Sequence, residues 1–191
     1  RLDRDEDFMV TGKRHPFAYE YDVGFDDTGR ITGLKLQMAA NCGFSADLSG
    51  PVADRAVFHA DNAYYLSDVE IASYRCKTNT QSHTAFRGFG GPQGVIVIEA
   101  ILGDIARTLG RDALAVRLAN LYGKDASAGR NITHYQMTVE DNILHALLPQ
   151  LEQTSRYRQR QADIAAWNAQ SPVLKRGLAI TPVKFGISFT A

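Results

Sequence analysis

The chain has 191 residues, 45% hydrophobic and 22% charged, ordinary proportions for a globular protein with a packed core. Its 21 basic and 21 acidic residues cancel to a formal net charge of zero, so bulk charge points to neither nucleic acid nor a membrane surface. No apolar run approaches the length of a membrane span, and the charged N-terminus does not read as a signal peptide. Cys42 and Cys76 fit neither a disulfide framework nor a zinc site and read as reduced thiols of a cytoplasmic protein. The chain opens on Arg1 without a methionine and stops at Ala191 near a strand end, so it is read as an internal piece of a longer protein. Its length suits one domain, or two small lobes at about 1–91 and 92–191.

Phe17, Tyr19, Tyr21, Val23 and Phe25 alternate with polar residues at the period of a half-buried strand. Asp26-Asp-Thr-Gly29 is a turn signal, and Ile31 to Met38 resumes as a second strand, which predicts a hairpin. Residues 41–51 read as a loop, and Pro51 opens a short helix over 52–60. A strand over 69–75 precedes a polar and then glycine-rich loop over 78–91. The clearest helix spans 92–109, where Val95, Ile98, Ile101, Leu102, Ile105 and Leu109 make an apolar stripe ended by Gly110. Asp112 caps a second helix reaching about Asn120. Helices over about 141–151 and 155–168 follow an irregular stretch, and 176–185 reads as a final strand. Strands, then helices, then a strand predict an α+β fold of antiparallel strands with packed helices.

The most informative stretch is Thr84-Ala-Phe-Arg-Gly-Phe-Gly-Gly-Pro-Gln-Gly94, a run of glycines directly before the strongest helix. Such glycines let backbone approach a ligand, and a helix start offers free N–H groups that suit an anion. It is not a dinucleotide fingerprint, because Gln93 stands where the third glycine belongs, nor a phosphate loop, because no Gly-Lys-Ser/Thr follows. Phe86 reads as core, whereas Phe89, carried between two glycines, suits presentation into a pocket. The five histidines show no ligand spacing, and His59 and Lys184 read as structural.

Phe86-Arg-Gly-Phe-Gly-Gly-Pro-Gln-Gly94 resembles a signature of the molybdenum hydroxylases, the group of xanthine dehydrogenases, xanthine oxidases and aldehyde oxidases. The resemblance runs on in the same order through Leu2-Asp-Arg-Asp-Glu-Asp7, Thr11-Gly-Lys-Arg-His-Pro-Phe17, Arg55-Ala-Val-Phe-His59, Lys77-Thr-Asn79 and Pro182-Val-Lys-Phe-Gly-Ile-Ser-Phe-Thr190. Residues 122–141 are the least typical, and nothing is carried over there. The resemblance implies a piece of the molybdopterin-binding region of that fold, with 2Fe-2S clusters and FAD elsewhere in an oligomeric full enzyme. It implies that Arg87, Gly88, Gly90, Gly91 and Gln93 line the molybdenum cofactor. It further implies that Phe89 stacks on a planar substrate, Phe189 meets it edge-on, and Thr190 hydrogen-bonds it. Arg55 would hold a purine carbonyl and steady the negative charge that develops on the ring. Arg55 with Thr190 favours hypoxanthine or xanthine over an aldehyde as substrate. Another N-heterocycle or aldehyde hydroxylase, and a non-catalytic interaction module, are the competing readings. The resemblance places the catalytic glutamate base beyond this stretch, so the 191 residues alone are expected to be inactive.

Overall fold

In the computed structural model, which describes residues 1–125, 127 and 129–186, the first apolar alternation becomes strand β1 (Phe17–Phe25). It pairs antiparallel with β2 (Ile31–Gly43), Tyr21 lying opposite Leu36 and Phe25 opposite Ile31. The Asp26 carboxylate closes the turn by accepting from the N–H of Thr28 (2.8 Å) and of Arg30 (3.1 Å). Gly29 sits at φ +86°, a conformation that favours glycine. Asn120 then pins this turn from across the fold, accepting from Ile31 N–H and donating to the Gly29 carbonyl, each at 2.8 Å.

The α+β class holds, with one pairing different from the expected all-antiparallel set. Strand β3 (Val69–Lys77) runs parallel to β2, giving the order β1-β2-β3. The cause is the crossover between them: residues 44–68 carry helix α2 (Ser49–Phe58) and return the chain to the same end of the sheet. Central strand β2 buries Ile31, Leu34, Leu36, Met38 and Ala40. Against it lies α3 (Gly91–Leu109), whose Ile98, Ile101, Leu102 and Ile105 are at most 1% exposed. Each such side chain contributes roughly 1.5–3 kcal/mol on burial. Helix α4 (Ala113–Asn120), capped by the Asp112 carboxylate on Ala115 N–H as expected, adds Leu114 and Val116. One core cluster thus draws on residues from both sides of Gly91.

Two other sequence expectations differ, and one helix was not anticipated. Residues 4–10 form helix α1 (Arg4–Val10), started by an Asp3/Glu6 capping box. The next helix, α5 (Leu144–Thr154), begins after Asp141, whose φ of +50° is incompatible with a helix; α6 (Tyr157–Gln170) follows a break at Arg156, φ +51°. The expected strand over 176–185 is absent. Its backbone partners are side chains, described below, so no ladder forms.

Candidate functional site

Helix α2 ends one turn beyond Arg55, where a cation is favoured by the helix dipole. Arg55 is nevertheless 4% exposed, because its guanidinium lies over the Phe185 ring, 4.7 Å from the centroid, and donates to the Gly186 carbonyl. One turn on, His59 packs on the same ring at 4.9 Å. Its Nδ1 meets the Arg55 carbonyl at 2.9 Å, and its Nε2 accepts from Gly186 N–H at 3.1 Å. Beyond the helix, Asn62 donates to the Pro182 carbonyl (2.9 Å) and accepts from Lys184 N–H (3.1 Å), as a neighbouring strand would. Asp61, wholly buried, accepts from the Lys184 ammonium and from the Tyr122 hydroxyl, the latter at 2.6 Å. Residues 182–186 therefore form a strap held by side chains of α2 and of the turn after it.

The glycine-rich loop meets the same corner from the other side. Gly88, Phe89 and Gly90 take φ values of +89°, +49° and +98° in succession. Positive φ is costly for an aromatic residue, of order 1–3 kcal/mol, and such strain clusters at functional sites. Phe89 is half-buried, consistent with a ring that is not core. A Cβ on Gly90 would run into the Val52 carbonyl of α2, and one on Gly91 into the Phe185 ring. These glycines let α2, α3 and the strap touch through their backbones. Phe185 is the shared neighbour of Arg55, His59 and Gly91.

Two expectations about this loop are corrected. The start of α3 does not offer its N–H groups to an anion, because they are used at home. Phe89 and Gly91 donate to the carbonyls of Phe86 and Gly88, and Gln93 and Gly94 to that of Gly90, while Pro92 has none to give. Phe86 is not core but 59% exposed, because the loop turns it outward beneath the Arg14 guanidinium, 4.6 Å from the ring. Arg14 also donates to the Arg87 carbonyl at 2.6 Å, and the Arg87 side chain is exposed. Gln93 is buried, its amide reaching the His15 carbonyl at 3.3 Å. The loop and Arg55 are thus brought together, and Gln93 lies behind them. Phe189 and Thr190 lie outside the described residues.

Sequence reading missed His59, Asp61, Asn62, Phe185 and Gly186. The available signal was Arg55, His59 and Asn62 at helical spacing, with Asp61, where a short helix gives way to a turn. Burial holds the His59 imidazole below its ordinary value of 6.5, with the positive charges of Arg55 and Lys184 acting the same way. Burial also lowers His134, whose Nε2 donates to the Val57 carbonyl (2.9 Å), and His15, which faces His83. Each ring binds its proton less tightly folded than unfolded. Unfolding therefore takes up protons as pH drops through 6.5. The stability these rings contribute is complete above that pH and is lost as pH falls through the folded values. Hydrogen exchange of the core amides of β2 and α3, corrected for intrinsic rates, should show weaker protection at pH 5 than at pH 7.5. Equal protection would contradict the assignment of neutral buried rings.

The first 121 residues match the profile of the molybdopterin cofactor-binding domain. The chain belongs to that family. This molybdopterin-binding domain is 43% identical over 188 residues to xanthine dehydrogenase of Drosophila subobscura and 44% identical over 189 residues to xanthine dehydrogenase/oxidase of Gallus gallus. Those alignments cover 98% and 99% of this chain and 14% of each relative, so the chain spans about one seventh of the curated relatives it matches. Its fold is that of the aldehyde oxidoreductase from Desulfovibrio gigas, with TM-score 0.76 and 21% identity over 91% of this chain and 18% of that one. CO dehydrogenase from Oligotropha carboxidovorans gives TM-score 0.74 and 18% identity over 88% of this chain and 21% of the other. No described helix is long and apolar enough to cross a membrane.

The domain's own atoms fit a hydrogen-bond-rich heterocyclic cofactor. Around the loop, Arg14 Nη1, His15 Nδ1, His83 Nδ1 and Gln93 Oε1 are buried without a hydrogen-bond partner among the described residues. They are grouped: the His15 and His83 rings are 5.9 Å apart, Gln93 bonds His15, and Arg14 bonds the loop at Arg87. Buried polar atoms left without partners are uncommon in native folds and suit a ligand with matching donors and acceptors.

Proposed function

We propose that this chain is part of a xanthine dehydrogenase-type enzyme that oxidises hypoxanthine and xanthine to uric acid, and that it supplies one wall of the purine pocket and part of the cofactor cradle. The observation that carries the reading is the position of Arg55, buried where α2, the glycine-rich loop and the strap meet. A guanidinium in a poorly hydrated corner acts strongly on charge that develops beside it, through a planar fork of donors. Phe89 offers the flat face of the slot; stacking of a base on an aromatic is worth about 1–3 kcal/mol. Phe189 supplies the edge-on contact and Thr190 a hydrogen bond to the substrate. Arg87, Gly88, Gly90, Gly91 and Gln93 hold the molybdopterin side, which supplies a two-electron oxidant when bound. Of these, Gly90 and Gly91 act by letting elements approach, and Gln93 by its buried amide.

Arg55 acts on the transition state more than on the bound purine. Attack on the ring carbon pushes negative charge toward the far carbonyl, and a donor already in place there needs no reorganisation. The parent protein is placed in the cytoplasm, with iron–sulfur and flavin domains outside this stretch and an oligomeric assembly. The direct test is turnover by the full-length enzyme with xanthine and with a simple aldehyde. Rapid uric acid formation with slow aldehyde oxidation is expected; rapid aldehyde oxidation without uric acid would overturn the purine assignment.

A further inference from the structure

The strap has no backbone ladder, and its last described hydrogen bonds are at Gly186, three residues before Phe189. Both backbone groups of Gly186 are engaged by α2: its carbonyl by Arg55 and its N–H by His59. The His59 contacts fix its chemistry. A carbonyl at Nδ1 can only accept, so Nδ1 carries the hydrogen; a backbone N–H at Nε2 can only donate, so Nε2 must offer its lone pair. The latch exists with neutral imidazole alone. A second proton would set N–H against N–H at Gly186 and place a cation beside two others.

We propose that His59 is a positioning residue whose neutral Nδ1–H form latches Gly186 and so holds the strap end, Phe185 and Gly186, against Arg55, and that protonation of His59 opens the latch. This rests on the pocket assignment above for its consequence, but not for the latch itself. The charged and titratable groups facing His59 are Arg55 from α2, Asp61 from the turn after it and Lys184 from the strap. Asp61 is already committed to Lys184 and Tyr122 and opposes the cations only in part. The part of α3 that abuts the His59 backbone is Gly94, which brings no charge. Burial and the two cations keep the ring neutral at neutral pH, and the latch is sensitive to acid.

The experiment is hydrogen–deuterium exchange of the strap, residues 182–186, in the full-length enzyme, at pH 5 and pH 7.5, with intrinsic rates removed. In the wild-type protein, loss of one hydrogen bond and its replacement by a repulsive contact should reduce protection about tenfold or more at pH 5. His59→Gln, whose amide oxygen can replace Nε2 as acceptor but does not titrate, should keep similar protection at both pH values. In the same variant, the KM for a purine should remain near the wild-type value, whereas His59→Ala, which has no acceptor, should raise KM at both pH values. Wild-type protection that does not change with pH overturns the proposal. So does an equal acid loss in His59→Gln, which would assign the sensor to the Asp61–Lys184 pair or to His134. If His59→Gln does not fold, His59→Ala takes its place: protection should already be low at pH 7.5 and change little at pH 5, and a wild-type-like acid loss in that variant overturns the proposal. Failure of the purine assignment would leave these exchange results standing and alter only the KM readings.

Discussion

Replacing Arg55 with methionine in the full-length enzyme is expected to lower xanthine turnover about a hundred- to a thousandfold, the usual effect of removing one preorganised donor from a developing charge. Oxidation of a simple aldehyde should fall far less. Methionine retains an apolar stem of similar reach, so much of the packing on Phe185 survives. The substitution also removes the bond to the Gly186 carbonyl, and any loosening of the strap that results acts on both substrates alike. The ratio of the two rates therefore isolates the electrostatic role from the structural one. Steady-state kinetics on both substrates measure it, and equal losses would assign Arg55 to the strap alone.

The largest stability effect is expected at Arg117, which sits on α4 and pairs with Glu99 of α3 at 2.7 Å, the two side chains being 8% and 13% exposed. Glu99 also accepts from the Tyr64 hydroxyl at 2.5 Å and from the Asn62 amide at 3.0 Å. Burial, reinforced by the Glu99 carboxylate, holds the Tyr64 hydroxyl firmly protonated, so Tyr64 remains a donor. Arg117→Met leaves a buried carboxylate without its cation. Breaking one partner of a buried pair costs about 3–5 kcal/mol, a large part of the roughly 5–15 kcal/mol that holds a domain folded. Hydrogen exchange of the α3 and α4 amides in the full-length protein should report that loss. Adding Glu99→Gln should recover a substantial part of it, since the stranded charge is then gone. A double variant no better than the single one would show that packing, not charge, carries the effect. Because Asn62 belongs to both this network and the strap clamp, Arg117→Met should also loosen residues 182–186.

Much of the scaffold was legible because local patterns and tertiary burial agree. The alternation from Phe17 to Phe25 and the turn after it announced the hairpin, and the stripe from Val95 to Leu109 announced α3 with its Gly110 stop. The Asp112 cap formed as its side chain chemistry requires. What sequence period could not reveal was partnership. The apolar run of β3 reads the same whether it pairs parallel or antiparallel, and only the crossover through α2 decides it. The run from Arg176 to Phe185 has strand-like residues, yet its partners are Asn62, His59 and Arg55 rather than another strand. The glycines were read as making room for a ligand. In the fold, Gly90 and Gly91 first make room for α2 and Phe185, and a side chain's need for space looks the same in sequence whichever neighbour fills it. Phe86 and Phe89 were equally apolar on the page, and only the succession of positive φ angles from Gly88 to Gly90 turns one to solvent and tucks the other in.

The claim on which all of this depends is that Arg55, the Phe89 loop and the end of the strap bound one slot for a flat heterocycle. A crystal structure of the full-length enzyme with an unreactive purine analogue measures that directly. The analogue should lie against the Phe89 ring with the Arg55 guanidinium within hydrogen-bonding distance of a ring carbonyl, and with Gly186 still latched by His59. An analogue bound away from Phe89, with Arg55 turned only to Gly186, would contradict it.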